Sequence, residues 1–419
     1  MRNSIQILVN LISQLMLLAC AGPSLEFSGV DKSESAPSRV VWEPSPRPVA
    51  KGNDGQLLIR TSESINILYA AHDENGRQNL FMSKTKNIGD SFSGSKRVNP
   101  EGEIINAHGE NGPKLRSGSG RGIFAAWVAK RDIKFSRSMN FGRSFGPPLR
   151  VNDDKGKASQ SFLSMDVAPN GSIFLAWLDG RDKGSAKHGT SAIYIARSMD
   201  QGKTFEKNIK VAGDVCPCCR PAVAFGNNGE IFVSWRHVYN GNERIIVVAT
   251  STDGGITWNE PVKTTNTGWK INGCAHSGPT MKYLNGKLFI TWYTGKDNKA
   301  RLRLAYSGDQ GKSFQVSRDL NGPVLDANHP DMTLIGNEAW VVFQGRDPLL
   351  EGGWGPDRAW LVRVNGAGEI SEPSALPSTG GSVAYPYLYK GNGGRVYATW
   401  TEVGEKGPKV ILCRGRVKQ

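Results

Sequence analysis

The sequence predicts an all-β fold of repeated four-stranded units arranged as a β-propeller, and three observations predict it. A turn-forming octapeptide recurs five times along the chain. An apolar strand ending in an aromatic residue recurs seven times at a similar spacing. The composition is that of a turn-rich globular protein, with 50 Gly and 22 Pro among 419 residues and 38% hydrophobic residues. That is too much turn chemistry for a helical bundle and too much apolar residue for disorder.

The octapeptide first reads Thr85-x-Asn87-x-Gly89-x-Ser91-Phe92, then Ser138-x-Asn140-x-Gly142-x-Ser144-Phe145. It returns as Ser198-x-Asp200-x-Gly202-x-Thr204-Phe205, Ser251-x-Asp253-x-Gly255-x-Thr257-Trp258 and Ser307-x-Asp309-x-Gly311-x-Ser313-Phe314. Asp or Asn accepts backbone N–H bonds in a tight turn, and Gly supplies positive φ. The aromatic residue is expected to pin the hairpin onto its own unit. Five copies spaced about fifty to sixty residues apart mark a repeat architecture. The motif resembles the Asp box, or BNR repeat, of sialidases and their relatives. It is a folding device and carries no catalytic role.

The strand series comprises Ile65–Tyr69, Ile123–Trp127, Ile173–Trp177, Ile231–Trp235, Leu288–Trp292, Trp340–Phe343 and Val396–Trp400. In the sixth unit the box has decayed to Asn365-Gly366-Ala367-Gly368, a plain hairpin turn. In the seventh, Lys409–Cys413 reads as a third strand, so a fourth is missing at that end. Arg39-Val40-Val41-Trp42 is spare at the other end. Pairing the two closes the ring and removes exposed sheet edges. The expectation is seven four-stranded blades closed by an N-terminal strand. Six blades, the number in true sialidases, is the alternative that the resemblance implies.

Ahead of the repeats, Arg2 precedes an apolar run from Ile5 to Leu18 that is too short and too polar to remain as a spanning helix. Leu17-Leu18-Ala19-Cys20 resembles a bacterial lipobox, which implies lipidation of Cys20. Cleavage after Ala19-Cys20-Ala21, an A-x-A pattern, is the competing reading. The expected organisation is a signal peptide over 1–19, a flexible tether over 20–38 and the propeller over 39–419. Ala21 in place of Asp favours, by resemblance, the outer membrane. The expected location is the bacterial cell envelope, facing the periplasm or the outside, with the membrane contacted only through the lipid. No later apolar stretch is long enough to span a bilayer. The net charge of +14 is scattered, without a basic block or nucleic-acid motif. It points to anionic glycans or lipid headgroups and away from nucleic acid. The chain is expected to be a monomer.

In a propeller the loops entering each innermost strand meet at one mouth of the central channel. Those loops carry His108 and Glu110, Gln160, Cys216-Pro217-Cys218-Cys219-Arg220, Cys274-Ala275-His276, His329 with Asp331, and Tyr385. Two readings fit the cysteines. In one, they form disulfides in an oxidising compartment, Cys274 with Cys216 or Cys218, or the vicinal Cys218 with Cys219. In the other, Cys216, Cys218, Cys219, Cys274 and His276, with His329 and His108 as further candidates, bind copper or zinc, which accept S and N ligands. Cys-x-Cys-Cys in one short loop is crowded for two disulfides and natural for metal ligands. Cys413 stands alone on the last strand. His72 and His188 fall on outer loops, and His237 at a rim.

The sialidase resemblance covers nearly the whole chain after residue 38 and implies its own chemistry: three arginines on a substrate carboxylate, an Asp acid/base, and a Tyr nucleophile assisted by Glu. Tyr385-Pro386-Tyr387-Leu388, followed by Gly393-Gly394-Arg395-Val396 and Trp400-Thr401-Glu402, is similar to the blade that holds that Tyr. The Arg-Ile-Pro signature of the first blade is absent; Ile59-Arg60-Thr61 comes nearest. Arg220 and Arg346 are candidates for the channel, Asp153 or Asp154 for the acid, and Arg181 for a brace between blades. A third class is a surface module that binds glycan or protein through Trp269 and Trp354, or uses both as loop anchors. The site favoured by the sequence is the Cys/His cluster, in a metal-binding or redox role. Glycoside hydrolysis at Tyr385 and non-catalytic binding are the alternatives.

Overall fold

The second strand of each repeat is a run of β-branched, alanine and aromatic residues, the composition of a strand buried on both faces. In the computed structural model of the chain these runs are strands Ile65–His72, Ile123–Ala129, Ile173–Asp179, Ile231–Tyr239, Lys287–Thr294, Glu338–Arg346 and Arg395–Val403. The structure describes residues 40–59, 64–85, 87–183, 191–405 and 407–418. The leader, Cys20, the tether, Arg39, Arg60, Thr61 and His188 lie outside the described residues.

Each run is the second strand of an antiparallel meander whose order in the sheet follows its order in the chain. The meanders span 53–97, 114–150, 160–215, 222–263, 280–319, 325–375 and 382–417. The third and fourth share one hydrogen-bonded sheet through the pair Val215 and His237. The last strand, expected to end at Cys413, runs over Lys409–Val417. Val40–Trp42 lies antiparallel to it, with Val40 opposite Val417, and Arg47–Lys51 pairs with its first half. Among the described residues no helix is long and apolar enough to cross a membrane.

The core lies between neighbouring meanders. Phe124 and Phe135 of one pack with Leu163, Leu175 and Trp177 of the next, and Phe174 and Ile193 pack in turn with Val233 and Trp235. Trp127, Trp177, Trp235 and Trp400 are at most 1% exposed. Removing about 150–250 Å² of each ring from water is worth about 4–6 kcal/mol as an upper bound.

The octapeptides hold these layers in register. Ser251 Oγ donates to Asp253 Oδ1 at 2.8 Å and accepts the Gly255 N–H at 2.9 Å, and Asp253 Oδ1 accepts the Thr257 N–H at 2.9 Å. Gly89, Gly142, Gly202, Gly255 and Gly311 all have positive φ. So do the residues before them, Ile88, Phe141, Gln201, Gly254 and Gln310. The turn therefore takes two left-handed residues in succession, and four of the five first positions are not glycine.

The aromatic residue was expected to pack on its own unit; it packs on the seam with the preceding one. Phe205 meets Phe135 edge-on at 4.9 Å. Phe92 joins Tyr397 and Leu412, Trp258 joins Phe174, and Phe314 joins Phe232. The carbonyl before each box glycine accepts a side-chain bond from that same neighbour. The donors are Arg414 to Ile88, Asn66 to Phe141, Arg137 to Gln201, Arg197 to Gly254 and Thr250 to Gln310. A box turn thus projects from one meander into the next because its glycine leaves room for the approach.

Gly202 measures this constraint. A Cβ there would strike the Phe135 ring on a backbone with φ of +76°, whereas Gly171, with φ of +87°, opens onto free space. Gly202→Ala is expected to destabilise by about 2–4 kcal/mol, adding overpacking to left-handed strain, and Gly171→Ala by about 1–2 kcal/mol from strain alone. Urea-unfolding midpoints of the two variants check the difference.

Candidate functional site

Four first strands are irregular at one end, and that irregularity builds the mouth. Register shifts fall between Asn53 and Gln56, Ser161 and Ser164, Asn328 and Asp331, and Ala384 and Tyr387. A left-handed residue sits in each: Asp54 at φ +55°, Phe162 at +52°, His329 at +49° and Tyr385 at +52°. Such backbone costs about 1–3 kcal/mol per residue and persists only where its surroundings impose it. Here a side-chain acceptor takes each backbone N–H: Thr401 for Asp54 (3.1 Å), Asn111 for Phe162 (2.5 Å), Asn328 for His329 (2.8 Å) and Gln344 for Tyr385 (2.9 Å).

Glu110, 5% exposed, ties these loops together. Its Oε2 accepts the Gly278 N–H at 2.6 Å and the Arg220 N–H at 3.3 Å, and its Oε1 lies 3.3 Å from His329 Nδ1. The His329 ring packs on the Tyr385 ring with centroids 4.3 Å apart. The Tyr385 hydroxyl lies over Gly109, where a Cβ would stand 2.8 Å from it. Burial, and then the charges of Glu110 and Asp54, push the Tyr385 phenol up to about 12, so it keeps its proton at neutral pH. His108 is exposed, bonded to Asn106 and edge-on to Phe162.

Below the mouth, a cavity of about 310 Å³ runs between the first strands, lined among others by Lys114, Arg116, Arg220, Lys282, Asp331 and Tyr387. Asp166 bridges two of the cations, 3.2 Å from Arg116 Nε and 3.5 Å from Lys282 Nζ. Burial opposes its ionisation, but Lys282 and Arg116 hold its carboxyl below the usual range. Burial pushes Asp54 up to about 7, against the pull of Lys114. Burial and Arg220 push Lys114 down to about 7. The sequence reading missed Asp54, Lys114, Arg116, Asp166 and Lys282. The one pattern that could have found any of them is the alternation Lys114-Leu115-Arg116; Asp54, Asp166 and Lys282 are single charges in their strands.

The cysteine run follows a strand that ends at Val215. The Cys216 N–H donates to the Arg236 carbonyl at 2.9 Å, and the chain then turns inward through Pro217. Cys216 and Cys219 are fully buried, Cys218 is 5% exposed and Cys274 is exposed. The Cys216 sulfur lies 3.6 Å from that of Cys218 and 3.5 Å from that of Cys219. Those separations far exceed the S–S bond of about 2.05 Å and approach the edge of about 3.8 Å that a tetrahedron on Zn–S bonds of about 2.3 Å requires. All five described cysteines are free thiols. Two metal-capable groups form, each with ligand atoms within 4.8 Å: Cys216, Cys218 and Cys219, and Cys218, Cys274 and His276. His108 and His329 join neither.

Two arginines back this cluster. Arg244 Nη1 reaches the Cys216 sulfur at 3.0 Å, and Arg236 Nη2 donates to the carbonyls of Ser277 (3.1 Å) and Tyr293 (2.8 Å). Arg236 is 1% exposed and Arg244 8%, and among the described residues neither has a carboxylate at ion-pair distance. The neighbouring thiols, and then the two arginines, hold the Cys216 sulfur well below the usual thiol range. Donation to Cys216 raises Cys218, and burial raises Cys219.

The remaining candidates separate cleanly. Trp269 is half-buried against the cysteine cluster and edge-on to Tyr293 at 5.7 Å, so it anchors its loop. Trp354 is 81% exposed, with the Arg346 guanidinium 4.9 Å over its ring. Arg346 pairs with Asp326. Arg181 binds Asp179, Asp153 and Asn208 and is a brace. Asp153 belongs to that brace, while Asp154 accepts from Asn152 and the Ala158 N–H.

Box-linked meanders around a charged channel define a β-propeller of the sialidase-like superfamily. The chain belongs to the BNR repeat-like domain family, which residues 124–398 match. No curated protein matches it. Among solved structures it is similar to an ulvan lyase bound to -[GlcA(1-4)Rha3S]-, with a TM-score of 0.58 at 11% identity over 88% of this chain and 95% of that one. The polysaccharide lyase Uly1 aligns with a TM-score of 0.57, also at 11% identity, over 88% and 90%. The NanB sialidase of Streptococcus pneumoniae aligns at 0.50 and 10% identity over 90% and 94%. At such identities the likeness is one of fold.

Glu110 is the testable hub of the mouth. Glu110→Ala leaves the buried Gly278 N–H and the half-buried Arg220 N–H unpaired and is expected to cost about 2–4 kcal/mol. Hydrogen exchange at Gly278 and Arg220 should quicken by about tenfold or more, while amides of the outer strands stay unchanged.

Proposed function

We propose that this protein is a metal-binding propeller of the bacterial cell envelope, holding copper or zinc in the Cys/His cluster at its channel mouth. The observation that carries this reading is the pair of buried guanidiniums, Arg236 and Arg244, beside three clustered sulfurs and without carboxylate partners among the described residues. An uncompensated buried charge costs several kcal/mol. Thiolates supply the missing negative charge, and a soft cation then holds the thiolates together. The pairing of Val40–Trp42 with the last strand supports a seven-bladed ring closed by the N-terminal strand. The Leu17-to-Cys20 motif supports export and lipid anchoring. Elemental analysis of protein purified without chelators is expected to find about one copper or zinc per chain, lost in Cys218→Ser. A chain that stays metal-free after anaerobic reconstitution with either ion overturns the reading.

A second reading, action on an anionic glycan, is favoured by the packing of Tyr385 on His329, which in turn faces Glu110, above the cation-lined channel. A phenol that keeps its proton can protonate a leaving oxygen, and His329, oriented by Glu110, can accept one. The lyases and sialidases that share the fold are named for glycan chemistry, and one is bound to a glucuronate-containing unit. Release of unsaturated uronate or sialic acid from a polysaccharide panel should fall about 100-fold or more in Tyr385→Phe. Wild-type protein inactive on uronate, sulfated and sialylated glycans alike sinks this reading.

A further inference from the structure

The two metal-capable groups are not alternatives, because they share a sulfur. Cys218 belongs both to the group with Cys216 and Cys219 and to the group with Cys274 and His276. The groups differ in exposure. Cys274 and His276 face solvent, Cys218 is 5% exposed, and Cys216 and Cys219 are fully buried. An ion arriving from solvent meets Cys274 and His276 first. The shared Cys218 sulfur links that outer pair to the inner sulfurs.

Charge decides what the inner position accepts. Three thiolates carry three negative charges, and Arg236 and Arg244 return two positive ones. A monovalent cation brings the buried assembly to neutrality; a divalent one leaves it positive in a place where uncompensated charge is costly. Coordination agrees. The inner position offers three sulfurs and, among the described residues, no fourth ligand, whereas structural zinc takes four, and thiolates are the ligands that select monovalent copper.

We propose that the site is a two-position relay for Cu(I), resting on the metal reading above. Cys218, Cys274 and His276 form an outer docking position, and Cys216, Cys218 and Cys219 form the inner holding position. During transfer the Cu–S bond to Cys218 persists. The bonds to Cys274 and His276 break as those to Cys216 and Cys219 form. Thiol protons leave with the sulfurs that bind, Cys274 regains one, and copper stays monovalent throughout, so no oxidant or reductant takes part.

The test is an anaerobic titration of the full chain with Cu(I) held by a chromophoric chelator, with Zn(II) as competitor. The expected result is one copper per chain that resists zinc, with sulfur-only ligation by X-ray absorption. In Cys274→Ser/His276→Ala, affinity should stay within about threefold while loading from the chelator slows by about tenfold or more. In Cys219→Ser, affinity should fall by about 100-fold, with a nitrogen ligand now in the spectrum. The surface double variant keeps the test decisive if Cys219→Ser misfolds. Two coppers per chain, displacement by zinc, or a double variant that loses affinity without slowing each overturns the relay and leaves a simpler metal site standing. Failure to bind either ion sinks the metal reading itself.

Discussion

Everything in this molecule hangs on the seam between consecutive meanders. A meander buried on one face only would expose a sheet of aromatic and branched side chains, and each is stabilised by pressing that face onto its neighbour. The octapeptide turn makes the seam specific. Its glycine lets two backbones approach, its preceding carbonyl takes a bond from the neighbour, and its aromatic ring fills the gap. Five seams carry this device, including the one where Arg414 near the end of the chain reaches Ile88 near its start.

A rigid stack frees the inner strand ends for work that backbone economy forbids elsewhere. Left-handed bulges at Asp54, Phe162, His329 and Tyr385 are unfavourable alone, and each is secured by one side-chain acceptor, from a neighbouring strand or loop in three cases and from the adjacent Asn328 for His329. The same ends carry ionisable groups that burial pushes far from their ordinary behaviour. Burial favours the neutral form of the Tyr385 phenol, the Asp54 carboxyl and the Lys114 amine alike.

Much of the fold was legible in the sequence, because repeats and alternation are written in residue types. Every strand of the aromatic series appears where its pattern placed it, and all five box glycines have positive φ. The cysteine loops also came together, since the repeat phase puts all strand entries at one end. Illegible were features that depend on the neighbour in space. Phe205 gives no sign that its partner is Phe135 of the preceding meander, and Ile88 and Phe141 look like poor candidates for left-handed backbone. Arg236 and Arg244 read as ordinary strand residues until folding buries them with no carboxylate at ion-pair distance among the described residues. The histidines misled in the other direction: His108, His276 and His329 share a loop position, yet only His276 stands beside the cysteines.

Glu110 accepts from Arg220 and Gly278, the residues that follow Cys219 and His276 at close range, and with its other oxygen it faces His329 beside Tyr385. The cysteine pocket and the tyrosine pocket are therefore halves of one thermodynamic object. Any occupant that draws the cysteine loops inward changes the position of Glu110, and with it the imidazole and phenol beyond. Such coupling is reciprocal by necessity: an occupant of the tyrosine side alters the hold of the cysteine side by the same factor.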